Sequence, residues 1–173
     1  MTYPLIHVRG CRLSDANELV DIDIKCFEDA WPVDEWNRIG HNAEYAISVA
    51  TMYGTVIGFG VFRYDEDAND VVIEKLAVKP HYRRKGASLH LLDGGVDYAK
   101  TKAAKSLTII VPESQIYPVG NEPSNMGGWL TGCGFKATKP FLKRHFEAYG
   151  HYEDGVKFYA PLRYGNVNSS NAA

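Results

Sequence analysis

Six consecutive residues, Arg83, Arg84, Lys85, Gly86, Ala87 and Ser88, combine three cations, a glycine and two small side chains where an apolar run gives way to a helical pattern. A phosphate is held well where several backbone N–H groups point outward together at a helix N-terminus. Those donors have no partner within the helix, and the helix dipole favours an anion. Gly86 lets the backbone approach such a group closely, and the adjacent cations add attraction for it. The segment suits a pyrophosphate. A solvated turn in which Gly86 only eases a bend is the blander alternative, and it would be preferred for an isolated R-x-x-G.

The elements that position this turn can be read from periodicity. Leu5 to Arg9 reads as a strand, and Ser14 as the cap of a helix with apolar positions Ala16, Leu19, Val20 and Ile24. A short helix is expected from Val33 to Ile39 after Pro32. Tyr45 to Met52 and Thr55 to Tyr64, separated by Tyr53 and Gly54, read as a hairpin, and a turn at Asp65 to Asn69 leads into a third strand, Asp70 to Val78. From about Arg84 a helix is predicted by Leu89, Leu92, Val96, Ala99 and Ala103, although Gly94 and Gly95 weaken it. Ser106 to Val111 then completes a βαβ unit with Asp70 to Val78, its two strands parallel. Pro112 to Pro123 reads as a loop, Ser124 to Cys133 as holding a short helix, and Phe135 to Phe146 and Val156 to Leu162 as closing strands. The expectation is a single α/β domain over residues 1–165 with a central, mostly antiparallel mixed sheet flanked by helices. Residues 166–173 read as a disordered tail.

The string L-A-V-K-P-H-Y-R-R-K-G-A-S, from Leu76 to Ser88, resembles the central signature of GCN5-related (GNAT) N-acyltransferases, a strand ending in V-x-P followed by R/Q-x-x-G-x-G/A. Ser88 stands where the family usually has glycine or alanine. The resemblance is specific between Ile73 and Leu92 and elsewhere rests on element order. It implies the GNAT fold and acetyl-CoA as cosubstrate. It also implies pyrophosphate on the backbone around Arg83 to Ser88 and pantetheine paired like an added strand with Leu76, Ala77 and Val78. Phe27 and Trp31, in the stretch Cys26 to Trp31, look like the family's acceptor wall, and Gly134-Phe135 resembles the G-F before its last strands.

Acyl transfer to an amine needs a neutral nucleophile, a polarised carbonyl and protonation of the leaving thiolate. Glu74 lies where several GNAT members place a catalytic glutamate. On a strand it shares a face with Val72 and Leu76, an apolar setting that favours the neutral acid; pairing with a cation such as Arg63 is the equal alternative. A backbone N–H near Val78 can serve the oxyanion. Leu130, beside Trp129, occupies the position of the family's acidic tyrosine, which leaves Tyr117 and Tyr149 as loop candidates. Eight carboxylates between Asp15 and Glu35 face one cation, Lys25. Such a run is usually a solvated face, yet at a cleft it would attract a cationic amine.

Bulk properties bound the rest. A net charge of -2 gives no global attraction to nucleic acid or anionic membrane, and the patch His81 to Lys85 is short, so neither partner is expected. No apolar run reaches membrane-spanning length and no leader pattern opens the chain, so a cytoplasmic protein is expected. Cys11, Cys26 and Cys133 lack metal or redox spacing and read as ordinary buried or partly buried thiols, with no metal expected. The leading expectation is an N-acetyltransferase acting on a primary amine of a small molecule or protein. The runner-up is an acyl-CoA-binding regulatory or interaction module. A homodimer is implied by the resemblance alone.

Overall fold

The alternating apolar runs form strands of one sheet. A computed structural model describes residues 5–116, 126–139, 142–148 and 151–163. Strands β1 (Ile6–Gly10), β2 (Tyr45–Met52), β3 (Thr55–Asp65) and β4 (Asp70–Val78) are successive antiparallel neighbours. Helices α1 (Ala16–Cys26) and α2 (Val33–Gly40) fall between β1 and β2 in the chain, and α3 (Ala87–Thr101) crosses from β4 to its parallel neighbour β5 (Ser106–Pro112). After α4 (Met126–Gly132) come β6 (Lys136–Ala137), β7 (Leu142–Ala148) and β8 (His151–Pro161), with β8 antiparallel to β5, β6 and β7. The eight-stranded sheet is thus mixed, with one parallel pair, β4–β5. The Tyr53-Gly54 turn has positive φ at both residues, 50° and 80°, the mirror-image geometry that matches the twist of a tight hairpin.

Helices cover both faces. On one, Leu19 and Ile22 of α1 and Trp36 and Ile39 of α2 pack against Val49, Phe59, Val61 and Ala77. On the other, Leu92 and Ala99 of α3 and Leu130 of α4 pack against Phe62, Val71, Ile73, Leu107 and Phe158. Each such large side chain, fully buried, stabilises the fold by about 1.5–3 kcal/mol.

Several local expectations change. Ser14 sits inside a 3-10 turn, Leu13–Asp15, and Asp15 takes the N-cap position of α1; its carboxylate makes no capping bond to that helix but accepts the Arg12 N–H ahead of the 3-10 turn at 2.7 Å and two Arg9 guanidinium nitrogens at 2.7 and 2.8 Å. The Arg9 hydrogen bond holds the Asp15 carboxyl below its ordinary range. In α1 the buried residues are Leu19, Ile22 and Asp23, while Ile24, about 140° around the helix from Leu19 at 100° per residue, is exposed. In α3 the buried set is Ala87, Leu91, Leu92, Gly95 and Ala99; Leu89 is exposed, and Ala103 lies beyond the helix with a φ of 51°. Cys11 is exposed, and Cys26 and Cys133 are half-buried.

Gly95 has a packing reason. A Cβ there would stand 2.4 Å from the ring of the wholly buried Phe62, and one on Gly60 would stand 2.7 Å from the same ring. The two glycines let α3 settle on the sheet over that ring. Gly95→Ala is therefore expected to lower stability by about 1–3 kcal/mol through overpacking, although alanine favours a helix by roughly 1 kcal/mol over glycine. Urea unfolding followed by circular dichroism checks this; a midpoint equal to or above that of the parent would contradict it.

Candidate active site

The register of β4 against β3 steps from Val61 opposite Lys75 to Phe62 opposite Ile73. Glu74 is therefore an extra residue, a β-bulge that re-aims the side chains around it. Before the bulge Val71 and Ile73 face α3; after it Leu76 and Val78 do, while Ala77 packs on the α1 side. Lys75 also turns to that side, where it meets Asp23 of α1. Glu74 consequently stands beside Lys75 and not on one face with Leu76, which corrects the simple alternation. Its setting is ionic: Arg63 Nε donates to Glu74 Oε1 at 2.6 Å. Burial works against the Arg63 charge, but the bond and attraction to Glu74, with Tyr45 and Asp65 adding to them, leave the Arg63 pKa above its ordinary value. Among the described residues, only one oxygen of Glu74 is engaged.

The same bulge ends the parallel pairing. β4 and β5 are in register only from Asp70–Ser106 to Ile73–Ile109. Beyond that, β5 keeps its bonds to β8, from Ile109–Phe158 to Pro112–Gly155, and β4 runs on to Val78 with an edge that β5 does not fill. The closed end is tied by Asp70, a buried carboxylate that accepts the hydroxyls of Thr108 at 2.6 Å and Ser106 at 2.9 Å. A cavity of about 370 Å³ lies in the open wedge, between Glu74, Lys75 and Leu76 on one side and Ile109 to Pro112 on the other. Phe27 lines it directly, whereas Trp31 does not; its ring lies tilted against that of Trp36, 5.4 Å between centres.

The candidate phosphate turn is one step further along the chain. Arg84 and Gly86 have positive φ, 59° and 89°, so the helix begins at Ala87 and not near Arg84. The first helical bond runs from the His90 N–H to the Gly86 carbonyl at 3.2 Å. The N–H groups of Gly86, Ala87, Ser88 and Leu89 therefore precede the helix's own ladder, and no side chain caps them. Nothing lies within 4 Å of where a Cβ on Gly86 would be, so a group can approach the backbone there. Arg83 turns back, its Nε donating to the Val78 carbonyl at 2.9 Å, with Nη2 3.7 Å from Cys26 Sγ. Lys85 lies over the Tyr82 ring at 5.4 Å.

Sequence reasoning missed the pair Lys75–Asp23, joined at 2.6 Å with both side chains out of water. The signal was present: Asp23 lies four residues after Leu19 on the inward face of α1, and Lys75 stands two residues from each of Ile73 and Ala77 in a buried strand. Glu147 and Glu153, which also line the cavity, carried no signal because strand pairing brings them there. The acidic run is mostly neutralised, Asp15 by Arg9, Glu18 by Lys79, Asp21 by Lys25, Asp23 by Lys75 and Glu35 by Arg38. Glu28 and Asp29 reach the cavity. Leu130 is wholly buried in the α4 core, and Tyr117 and Tyr149 lie outside the described residues. No described helix is long and apolar enough to cross a membrane.

Residues 16–116, more than half of the chain, match the model of the acetyltransferase (GNAT) family. The chain belongs to the GNAT family of acetyltransferases. Solved structures agree on the fold. The ribosomal-protein-S18-alanine N-acetyltransferase of Escherichia coli superposes with a TM-score of 0.76 at 15% identity, covering 95% of this chain and 98% of that one. NAA60 of Arabidopsis thaliana in complex with acetyl-CoA gives 0.77 at 16%, covering 91% and 99%. A variant of the spermidine N-acetyltransferase of Vibrio cholerae gives 0.72 at 16%, covering 90% and 93%. No curated protein sequence matches the chain. In this GNAT domain the family match ends at residue 116, so Glu147 and Glu153 on β7 and β8 belong to the part outside it.

Proposed function

We propose that this GNAT domain transfers an acetyl group from acetyl-CoA to a primary amine, by direct attack within the wedge between β4 and β5. The observation that carries the reading is the coincidence of three features on one short stretch. They are an open strand edge at Leu76 to Val78, free helix N–H groups from Gly86 to Leu89, and a carboxylate, Glu74, on the cavity wall. Pantetheine adds to the edge along Leu76, Ala77 and Val78, and the pyrophosphate takes the turn from Arg83 to Ser88. Arg84 and Lys85 supply charge there, while Arg83 braces the end of β4. In this reading Glu74, its carboxylate fixed by Arg63, takes a proton from the acceptor ammonium directly or through water, and the neutral amine so formed attacks the thioester carbonyl, whose oxyanion a backbone N–H near Val78 receives. The C–S bond then breaks, coenzyme A leaves as the thiolate, and the extra proton on the new amide nitrogen passes through water to that thiolate.

The acceptor is a cationic amine. Glu28, Asp29, Glu74, Glu147 and Glu153 line the cavity, and the one cation among its described lining residues, Lys75, is already paired with Asp23. Two of the structural neighbours represent both acceptor classes by name, a ribosomal-protein alanine N-acetyltransferase and a spermidine N-acetyltransferase. For this chain the acceptor is accordingly a primary amine of a small molecule or of a protein. Leu130, buried where an acid would be expected, favours a second reading in which acetyl-CoA binds without turnover.

Kinetics on a panel of cationic, neutral and acidic acceptors separates the two. Glu74→Gln keeps size and removes the base; it is expected to lower kcat by about 100-fold or more, with the KM for acetyl-CoA unchanged within about twofold. Unchanged turnover would remove Glu74 from the mechanism, and absence of turnover by the parent on every amine would favour the binding module. Gly86→Val places a β-branched residue at positive φ and a side chain where the pyrophosphate would lie. Calorimetry of the folded variant is expected to show acetyl-CoA binding weakened about tenfold or more, a loss of about 1.4 kcal/mol or more. Parent-like affinity would reject this turn as the phosphate site.

A further inference from the structure

The bulge delivers two adjacent residues to one side of β4, and the reading above uses only Glu74. Lys75 is 4% exposed. An ammonium leaves water only where its charge and its donors are satisfied. Lys75 Nζ donates to Asp23 Oδ1 at 2.6 Å and to the Asp29 carbonyl at 3.2 Å, and it lies 4.5 Å from the centre of the Phe27 ring and 4.6 Å from that of Trp31. The other Asp23 oxygen accepts the Trp31 backbone N–H at 2.9 Å and the Trp36 indole N–H at 3.1 Å. All of these partners belong to α1, α2 or the segment joining them, whereas Lys75 belongs to β4. One buried charge pair thus fastens the segment from Phe27 to Trp31 to the bulge that carries Glu74.

Stability alone does not require such a pair, since apolar residues of similar volume often replace a buried ion pair without loss. The pair does fix geometry. Three residues of the fastened segment, Phe27, Glu28 and Asp29, line the cavity, so their distance from Glu74 depends on the fastening.

We infer that Lys75 and Asp23 are positioning residues of the acceptor site: the ammonium, caged by Asp23, Phe27 and Trp31, holds the acceptor wall in place beside Glu74. The inference rests on the proposed function for its acceptor half, while the fastening itself can be tested without turnover. Truncating Lys75 to alanine leaves a carboxylate and two aromatic faces around a void of lysine shape, which is a receptor for n-propylammonium.

The test uses the full chain with Lys75→Ala, and with the double variant Asp23→Leu/Lys75→Met in case the single variant does not fold. Hydrogen exchange over residues 27–31, without acetyl-CoA, is expected to quicken about tenfold or more in either variant. n-Propylammonium, but not n-propanol, is expected to reverse this in Lys75→Ala. In steady-state assays the acceptor KM is expected to rise about tenfold with the acetyl-CoA KM held within about twofold, a split that a general loosening of the fold would not produce. Parent-like exchange in a folded variant, equal reversal by n-propanol, or the two KM values rising together would overturn the inference. If the parent acetylates no amine, the proposed function and the acceptor half fail, and the exchange result alone decides the fastening.

Discussion

β4 cannot follow both of its neighbours. Its antiparallel partner β3 stays with it to Val78, whereas its parallel partner β5 stays with it only to Ile73 and then remains with β8. The extra residue at Glu74 marks the place where the two demands part. Backbone groups at a sheet edge need partners or water, so parting the strands leaves an edge that a linear amide-bearing chain can fill. The cavity, the bulge carboxylate and the buried lysine all follow from that one divergence.

The wedge stays open at one end because it is tied at the other. Asp70 accepts two hydroxyls where the parallel pairing begins, which holds β4 and β5 together at the end away from the divergence. α3 then settles on the sheet over Phe62, at a depth that Gly95 and Gly60 allow, and its N-terminus comes to lie just past the end of β4. Left-handed backbone at Arg84 and Gly86 turns the chain sharply enough for this. Strand edge and helix N–H groups are therefore consecutive parts of one path, spaced by the 3-10 turn Pro80–Tyr82. A long ligand with an amide arm and a pyrophosphate matches this order.

Much of this was legible in the sequence, and the parts that were not share a cause. Element order, the Tyr53-Gly54 hairpin and the parallel β4–β5 crossover follow from periodicity and turn residues, which are local signals. The turn before α3 is legible because its glycine and cations are contiguous with the helical pattern, although the helix itself begins at Ala87 and not near Arg84. The orientation around Glu74 is not, since a bulge is decided by register with β3 and strict alternation misplaces Leu76. The inward stripes of α1 and α3 depart from hydrophobicity alone, which selects Ile24 and Leu89, because Asp23 and Gly95 face inward for reasons that lie on other elements, Lys75 and Phe62. Glu147 and Glu153 reach the cavity only through the β7–β8 pairing.

The proposed acetyl-CoA site joins the opened edge of β4 to the N-terminus of α3. Amide hydrogen exchange of the full chain with and without saturating acetyl-CoA tests this pairing, because it reports on backbone N–H groups. Slowed exchange is expected at residues 76–78 and 86–89 and nowhere in β2 or the β2–β3 turn. Slowed exchange elsewhere with these two segments unchanged, or no binding at all, would contradict it.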